Sequence, residues 1–173
     1  TLDNKGVQFL VRGVPFDGDS RWGVRIGYAA NKNEVNDIEG GVRTLPDSYG
    51  ITAAVNGQAL GVFYGSNFQR DANNNIVYDA GGLPVRSTAN KVIGDPNPKY
   101  TASVTNEVQI GKQWSFRIQF DAVQGNKTFN FARRIGIYPV YGTLKDYEQE
   151  LKGEYPAGYN NRVFGIYENW IED

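Results

Sequence analysis

Hydrophobic and polar residues alternate strictly in four stretches of this chain. Val7, Phe9 and Val11 stand against Gln8, Leu10 and Arg12; Trp22, Val24, Ile26 and Tyr28 stand against Gly23, Arg25 and Gly27. Tyr100, Ala102, Val104, Val108 and Ile110 stand against Thr101, Ser103, Thr105, Glu107 and Gln109. Trp114, Phe116, Ile118, Phe120 and Ala122 stand against Ser115, Arg117, Gln119 and Asp121. A side-chain period of two belongs to a pleated strand, so each stretch presents one apolar and one polar face. Phe16-Asp17-Gly18-Asp19-Ser20 joins the first two, and Gly111-Lys112-Gln113 joins the last two. Connections this short predict antiparallel hairpins over residues 5–30 and 100–124.

The connections between and after the hairpins, residues 33–99 and 125–173, are too long to lack structure of their own. The first is expected to hold strands around Leu60–Phe68 and Ile76–Tyr78, with Asn73-Asn74-Asn75 turning between them. The second carries one helical candidate, Leu144–Leu151, and little helix is expected elsewhere. Short turns at one end and long loops at the other, on strands of about ten residues, match a transmembrane β-barrel. Trp22, Trp114, Tyr28 and Tyr100 lie at or near strand ends, where amphipathic rings suit a membrane–water interface. A soluble antiparallel β-sandwich alternates in the same way, with the apolar face buried, and stands as the alternative.

Composition agrees with an all-β chain and narrows its chemistry. The 173 residues include 21 Gly, 17 Asn, 11 Tyr, 9 Phe and 3 Trp, a supply of turn formers and strand-favouring aromatics. Lys plus Arg is 18 and Asp plus Glu is 19, so the net charge is −1 and lacks the basic excess of a nucleic-acid binder. There is no Cys and no His, which excludes disulfides, thiolate metal sites and a cysteine nucleophile, and leaves carboxylates, Lys and Tyr as bases. No apolar run reaches the roughly 18 residues of a membrane helix. The mean hydropathy of −0.50 does not bear on barrel strands, whose alternation averages out. The chain starts at Thr1 and has no Met, so it reads as a mature or excised piece.

Three groups invite a chemical reading. Asp71, Asn73, Asn75 and Asp79 alternate as oxygen ligands of a calcium loop do, but Ile76 and Gly82 occupy positions where such a loop needs Gly and Glu. An Asn-rich turn accounts for them, and neither metal nor cofactor is expected. Arg25, Arg117, Gln119 and Asp121 share polar strand faces with Glu107 and are candidates for ligand contact in a barrel lumen, beside the plainer reading of a solvated face or of contacts to a plug inside the barrel. Tyr138, Tyr141 and Tyr147, with Tyr155 and Tyr159, crowd the last loop, where rings could stack on sugars or line an interface. No triad, phosphate loop or paired-carboxylate motif is present, and no enzymatic activity is expected.

Residues 91–130 carry a family likeness. Ile93-Gly94-Asp95-Pro96-Asn97-Pro98 leads into a strand, a short turn, a second strand, and then Gln124-Gly125 and Phe129-Asn130. Upstream stand Asn4-Lys5-Gly6-Val7, Gly13-Val14-Pro15-Phe16, Asn31-Lys32-Asn33-Glu34-Val35 and Gly61-Val62-Phe63-Tyr64-Gly65. Downstream stand Glu150-Leu151, Gly153 and Trp170-Ile171-Glu172-Asp173. In this order the chain resembles the SusC/RagA family of TonB-dependent outer-membrane transporters, with Ile93–Pro98 as a structural motif.

The resemblance implies a segment from the C-terminal half of a large barrel. The family's plug, its TonB-contacting part and most barrel strands would then lie outside this chain. It implies uptake of oligosaccharides or peptides across a Bacteroidetes-type outer membrane, surface-exposed loops and a SusD-like lipoprotein partner. Lipid would contact the apolar face. The class-distinct alternative is a stand-alone extracellular sandwich for binding or adhesion.

Overall fold

The computed structural model describes residues 1–46, 51–137 and 145–173. Strands β1 (Leu2–Asp17) and β2 (Ser20–Val35) form one long hairpin. Four short strands follow: β3 (Val42–Thr44), β4 (Thr52–Val55), β5 (Val62–Gly65) and β6 (Lys91–Gly94). A second hairpin is made of β7 (Tyr100–Ile110) and β8 (Trp114–Gln124). The chain ends in β9 (Thr128–Phe129), α1 (Phe131–Gly136), α2 (Lys145–Leu151), α3 (Tyr159–Phe164), a 3₁₀ turn over Tyr167–Trp170 and β10 (Ile171–Glu172).

The two hairpins join through β2 and β7 into one antiparallel sheet of order β1-β2-β7-β8. Its register fixes the faces. Val11, Ile26, Val104 and Phe120 form one cross-strand row, and Phe16, Trp22, Val108 and Phe116 form another on the same face. Arg12, Arg25, Thr105 and Gln119 form a row on the opposite face. The β7–β8 pairing runs from Ala102↔Ala122 to Ile110↔Trp114, as the alternation predicts. On β1 the segment Val7–Val11 meets Ala30–Ile26, and a bulge between Gly13 and Phe16 resets the register before Trp22.

Among the described residues nothing covers the apolar face. Phe116, Ile118 and Phe120 are 49%, 55% and 66% exposed, and Phe9, Val11, Trp22 and Trp114 are exposed as well. A sandwich would bury this face, so the sandwich alternative is not the fold adopted. Aromatic rings mark both ends of the apolar band. Trp114 stacks on Phe116 near the turns, at 6.3 Å between centroids. Toward the loops Tyr28 stacks on Phe9 at 5.3 Å and on Tyr100 at 5.7 Å.

The hydrophobic cores lie in the long connections. Strands β3-β4-β5-β6 make a second antiparallel sheet whose Ala53, Ala54, Val62 and Phe63 are buried. The last connection packs Phe68, Ile137, Val163, Ile166 and Trp170 into one cluster. Polar ties hold the two connections together: Tyr167 donates its backbone N–H to Ser66 Oγ (3.0 Å), which donates to the Gly165 carbonyl (2.8 Å). Glu168 accepts from the Phe68 N–H (2.8 Å) and from Arg70 (3.0 Å).

These connections depart from the sequence expectation in two respects. The strand expected over Leu60–Phe68 is confined to β5, and Ile76 and Tyr78 take part only in isolated bridges to Arg70 and Pro84. The last connection holds more helix than expected. Besides α2 at the expected place, α1 forms behind Asn130, whose side chain accepts the Arg133 N–H (2.8 Å) as an N-cap, and α3 and the 3₁₀ turn bury Val163 and Trp170. Short helices of this kind are held by tertiary packing, which a weak local pattern does not reveal.

Candidate functional site on the polar face of the long sheet

The polar rows bring the four strand candidates onto one surface. Arg25 and Gln119 sit in the row Arg12–Arg25–Thr105–Gln119. Asp121 lies one row toward the loops, opposite Ser103, and Arg117 one row toward the turns, opposite Glu107. Arg117 Nε approaches Glu107 Oε1 at 3.5 Å in an exposed pair, the kind that contributes at most about 1 kcal/mol. Gln119 Nε2 donates to both oxygens of Asp121, at 3.0 and 2.9 Å, and its carbonyl accepts from the buried Thr105 hydroxyl at 3.4 Å. Near the turns Arg21 pairs with Asp17 at 3.7 Å. A shallow hollow of about 270 Å³ opens on this face, lined among others by Arg12, Arg21, Arg25, Thr105 and Glu107.

Of the tyrosine candidates, the described one, Tyr147, does not join this surface. Tyr147 is half-buried on α2, in the last connection. Tyr138 and Tyr141 lie outside the described residues. Tyr155 and Tyr159 stack on each other at 4.4 Å, and Tyr159 packs against the Trp170 cluster. Burial pushes the Tyr159 phenol above its ordinary range, with the Tyr155 neighbour adding to it.

The Ile93–Pro98 motif shapes the junction between sheets. Asp95 Oδ1 accepts the Asn97 N–H (2.9 Å) and the Asn97 amide (2.7 Å), and the same amide also reaches the Leu60 carbonyl (3.0 Å). Pro96 and Pro98 hold the flanking backbone extended. A wider cleft of about 750 Å³ opens here, between the β1–β2 stem and the loop sheet, with Lys5, Asn31, Gln58, Asp95 and Asn97 on its walls. Gly125 then turns the chain out of β8 at φ +81°, where a Cβ would stand 2.7 Å from the Lys99 side chain.

Asp71 spends its carboxylate on its own turn. It accepts the N–H groups of Asn73 (2.9 Å) and Asn75 (2.8 Å) and the Asn75 amide (3.2 Å), while Asn74 adopts φ +65°. The Asn75 backbone bond is the main cause holding the Asp71 carboxyl below its ordinary value. This is an Asx turn.

Sequence reasoning passed over a polar cluster in the last connection. Arg134 lies over the rings of Phe164 (4.1 Å) and Tyr167 (5.1 Å). Arg133 bridges Asp146 (3.0 Å) and Glu172 (3.2 Å), and these two carboxylates outweigh burial in raising its pKa. Glu172 is held below the ordinary carboxylate range, first by the Asn130 amide (2.8 Å) and then by Arg133. The Arg133-Arg134 pair after Phe129-Asn130 was the available signal, but its partners lie up to 39 residues away.

An antiparallel sheet with an exposed, ring-bordered apolar face, a charged opposite face, short turns at one end and structured loops at the other defines the wall of a large β-barrel. The chain is similar to TonB-dependent receptor P3 of Formosa agariphila, at 24% identity over 157 residues, covering 75% of this chain and 16% of that protein. Its fold is similar to a chain in the structure of the RagAB peptide transporter, with TM-score 0.56 and 17% identity over 79% of this chain and 16% of that one. The RagAB peptide importer in its 'open-open' state gives TM-score 0.56 at 14% identity over 77% of this chain. No family model matches. The chain thus spans about one sixth of the relatives it matches. Sequence and fold similarity agree on a barrel segment of the TonB-dependent transporter kind, the resemblance that the motif order carries.

Proposed function

We propose that this chain forms part of the wall and the cell-surface loops of an outer-membrane importer that takes up oligosaccharides or peptides by TonB-dependent transport. The observation that carries the reading is the sheet itself. Its apolar face is bare, and the outer edges of β1 and β8 have no partner strand among the described residues. In lipid each unsatisfied backbone group costs several kcal/mol, so such a sheet is stable in a membrane only with further strands closing it. Further support comes from the similarity to a TonB-dependent receptor and to a peptide transporter. On this reading the Arg25, Arg117, Gln119 and Asp121 face lines the lumen, and the packed connections stand outside the cell. A SusD-like lipoprotein covers those connections, and TonB engages other parts of the protein.

Epitope insertion in the protein that carries this chain tests the topology. A tag placed after the exposed Gly153 is labelled by antibody on intact cells, and a tag at Lys112, in the β7–β8 turn, only after the outer membrane is opened. Labelling of Lys112 on intact cells would overturn the orientation. Recovery of the protein outside the outer-membrane fraction would overturn the reading as a whole.

A further inference from the structure

Two of the arginines on the polar face are paired with carboxylates, and two are not. Glu107 is taken by Arg117, Asp17 by Arg21, and Asp121 by the Gln119 amide. Arg12 and Arg25 are direct cross-strand partners, and among the described residues neither has an ion pair or a side-chain hydrogen bond. Like charges directly opposite on neighbouring strands destabilise a sheet, because their side chains stand about 5 Å apart at Cβ. The cost is compounded at Arg25, whose Nε is buried and has no hydrogen-bond partner. A guanidinium N–H shut off from water without an acceptor forfeits its full desolvation energy. Two forked donors facing the same hollow, both without an acceptor, make a receptor for a planar anion.

We propose that Arg12 and Arg25 form a carboxylate clamp on the lumen face and that its ligand is a carboxylate carried by the imported solute. The inference rests on the importer reading and adds a chemical requirement to it: the solute, peptide or saccharide, bears a free carboxylate. The hollow leaves room for one such group, and Arg12 is exposed to solvent above it. Thr105 and Gln119 complete the row with neutral hydrogen-bonding groups, and Glu107, the carboxylate that also lines the hollow, is paired with Arg117.

The test uses the complete protein in detergent with two probes, an N-acetylated, C-amidated tetraglutamate peptide and its C-amidated tetraglutamine counterpart, which carries no carboxylate. Phenylglyoxal modification of Arg12, read by mass spectrometry, should be rapid without probe, slowed by saturating tetraglutamate and unaffected by tetraglutamine. The double variant Arg12→Gln, Arg25→Gln should bind tetraglutamate about tenfold more weakly or worse, the weight of one charge-assisted hydrogen bond. Its tetraglutamine binding and its amount of assembled barrel should be unchanged. Three results would each overturn the clamp: Arg12 unreactive before any probe is added, which would place a carboxylate of the protein itself on the pair; equal protection by both peptides; or full tetraglutamate binding in the double variant. Any of these in a normally assembled membrane barrel defeats the clamp and leaves the importer reading standing. Absence of an assembled barrel in the unmodified protein would defeat the importer reading.

Discussion

Ile118→Arg, compared with Gln119→Arg one residue along, measures which face of the long sheet meets lipid. Ile118 lies in β8 midway between the two aromatic borders, with Phe116 and Phe120 beside it and Asn106 across from it. The row of Trp114 lies four residues away on one side, and the row of Tyr28 and Ala122 four residues away on the other. At about 3.4 Å per residue, eight to ten residues from Trp114 to the Tyr28 and Tyr100 rows span roughly 27–34 Å along the strand. With a barrel tilt near 40°, that is about 21–26 Å in height, the thickness of the apolar band of an outer-membrane barrel. Ile118 therefore falls near the midplane, where an arginine on the lipid face costs about 2–4 kcal/mol. Gln119 points the other way, and an arginine there meets Asp121, which Gln119 already contacts. The assay is the amount of heat-modifiable, folded barrel in the outer-membrane fraction. A clear fall is expected for Ile118→Arg, and wild-type amounts for Gln119→Arg. Equal amounts, or a larger loss for Gln119→Arg, would refute the assignment of faces.

Trp170→Ala, at a residue with no exposed surface, should loosen the loop cluster by about 3–5 kcal/mol and raise protease cleavage in the last connection, with assembly of the barrel preserved. Gly125→Ala places a Cβ at φ +81° against Lys99 and should cost about 1–3 kcal/mol, seen as a lower midpoint of heat modification. The folded-state pKa of Glu172 lies below its unfolded value. Its contribution is therefore complete above the ordinary carboxylate range and is lost as pH falls through the depressed value. Hydrogen exchange in β10 and α1, corrected for intrinsic rates, should accelerate in that acid window, and Glu172→Gln should flatten the dependence.

The sequence made the long sheet legible because a period of two is a direct projection of the pleat, and because the two faces carry opposite chemistry. The β7–β8 ladder could be read almost residue for residue. The bulge at Gly13–Phe16 could not, since Val14 and Pro15 interrupt the alternation without stating which partner is skipped. The loops were harder for a different reason. Their strands are two to four residues long and their helices six or seven, and what fixes them is distant: Glu168 on Phe68 and Arg70, Ser66 on Gly165, Arg133 on Glu172. The Arg12–Arg25 juxtaposition was hidden in the same way. Arg12 follows from the alternation of the first stretch and Arg25 from the second, but only the register through the bulge sets them opposite each other.

The placement of the cores explains how one chain combines a bare sheet with densely packed connections. In water the hydrophobic effect would fold the apolar face of the long sheet inward, because leaving it exposed forfeits roughly 25 cal/mol per Å² of apolar surface. In lipid that gain disappears, since the surroundings are as apolar as the face, and the requirement shifts to the backbone ladder. The sheet then needs partner strands more than a packed interior, which accounts for regular hairpins without a core. On the importer reading the connections emerge into water, where only burial orders a chain of their length. They accordingly bury Trp170, Ile137, Ile166, Val62 and Val163 and tie their two halves together through Ser66 and Glu168. The stem of β1–β2 links the two regimes. Its Val35 is already buried and exchanges backbone hydrogen bonds with Gly57 and Gln58 of the loop sheet, both 2.8 Å.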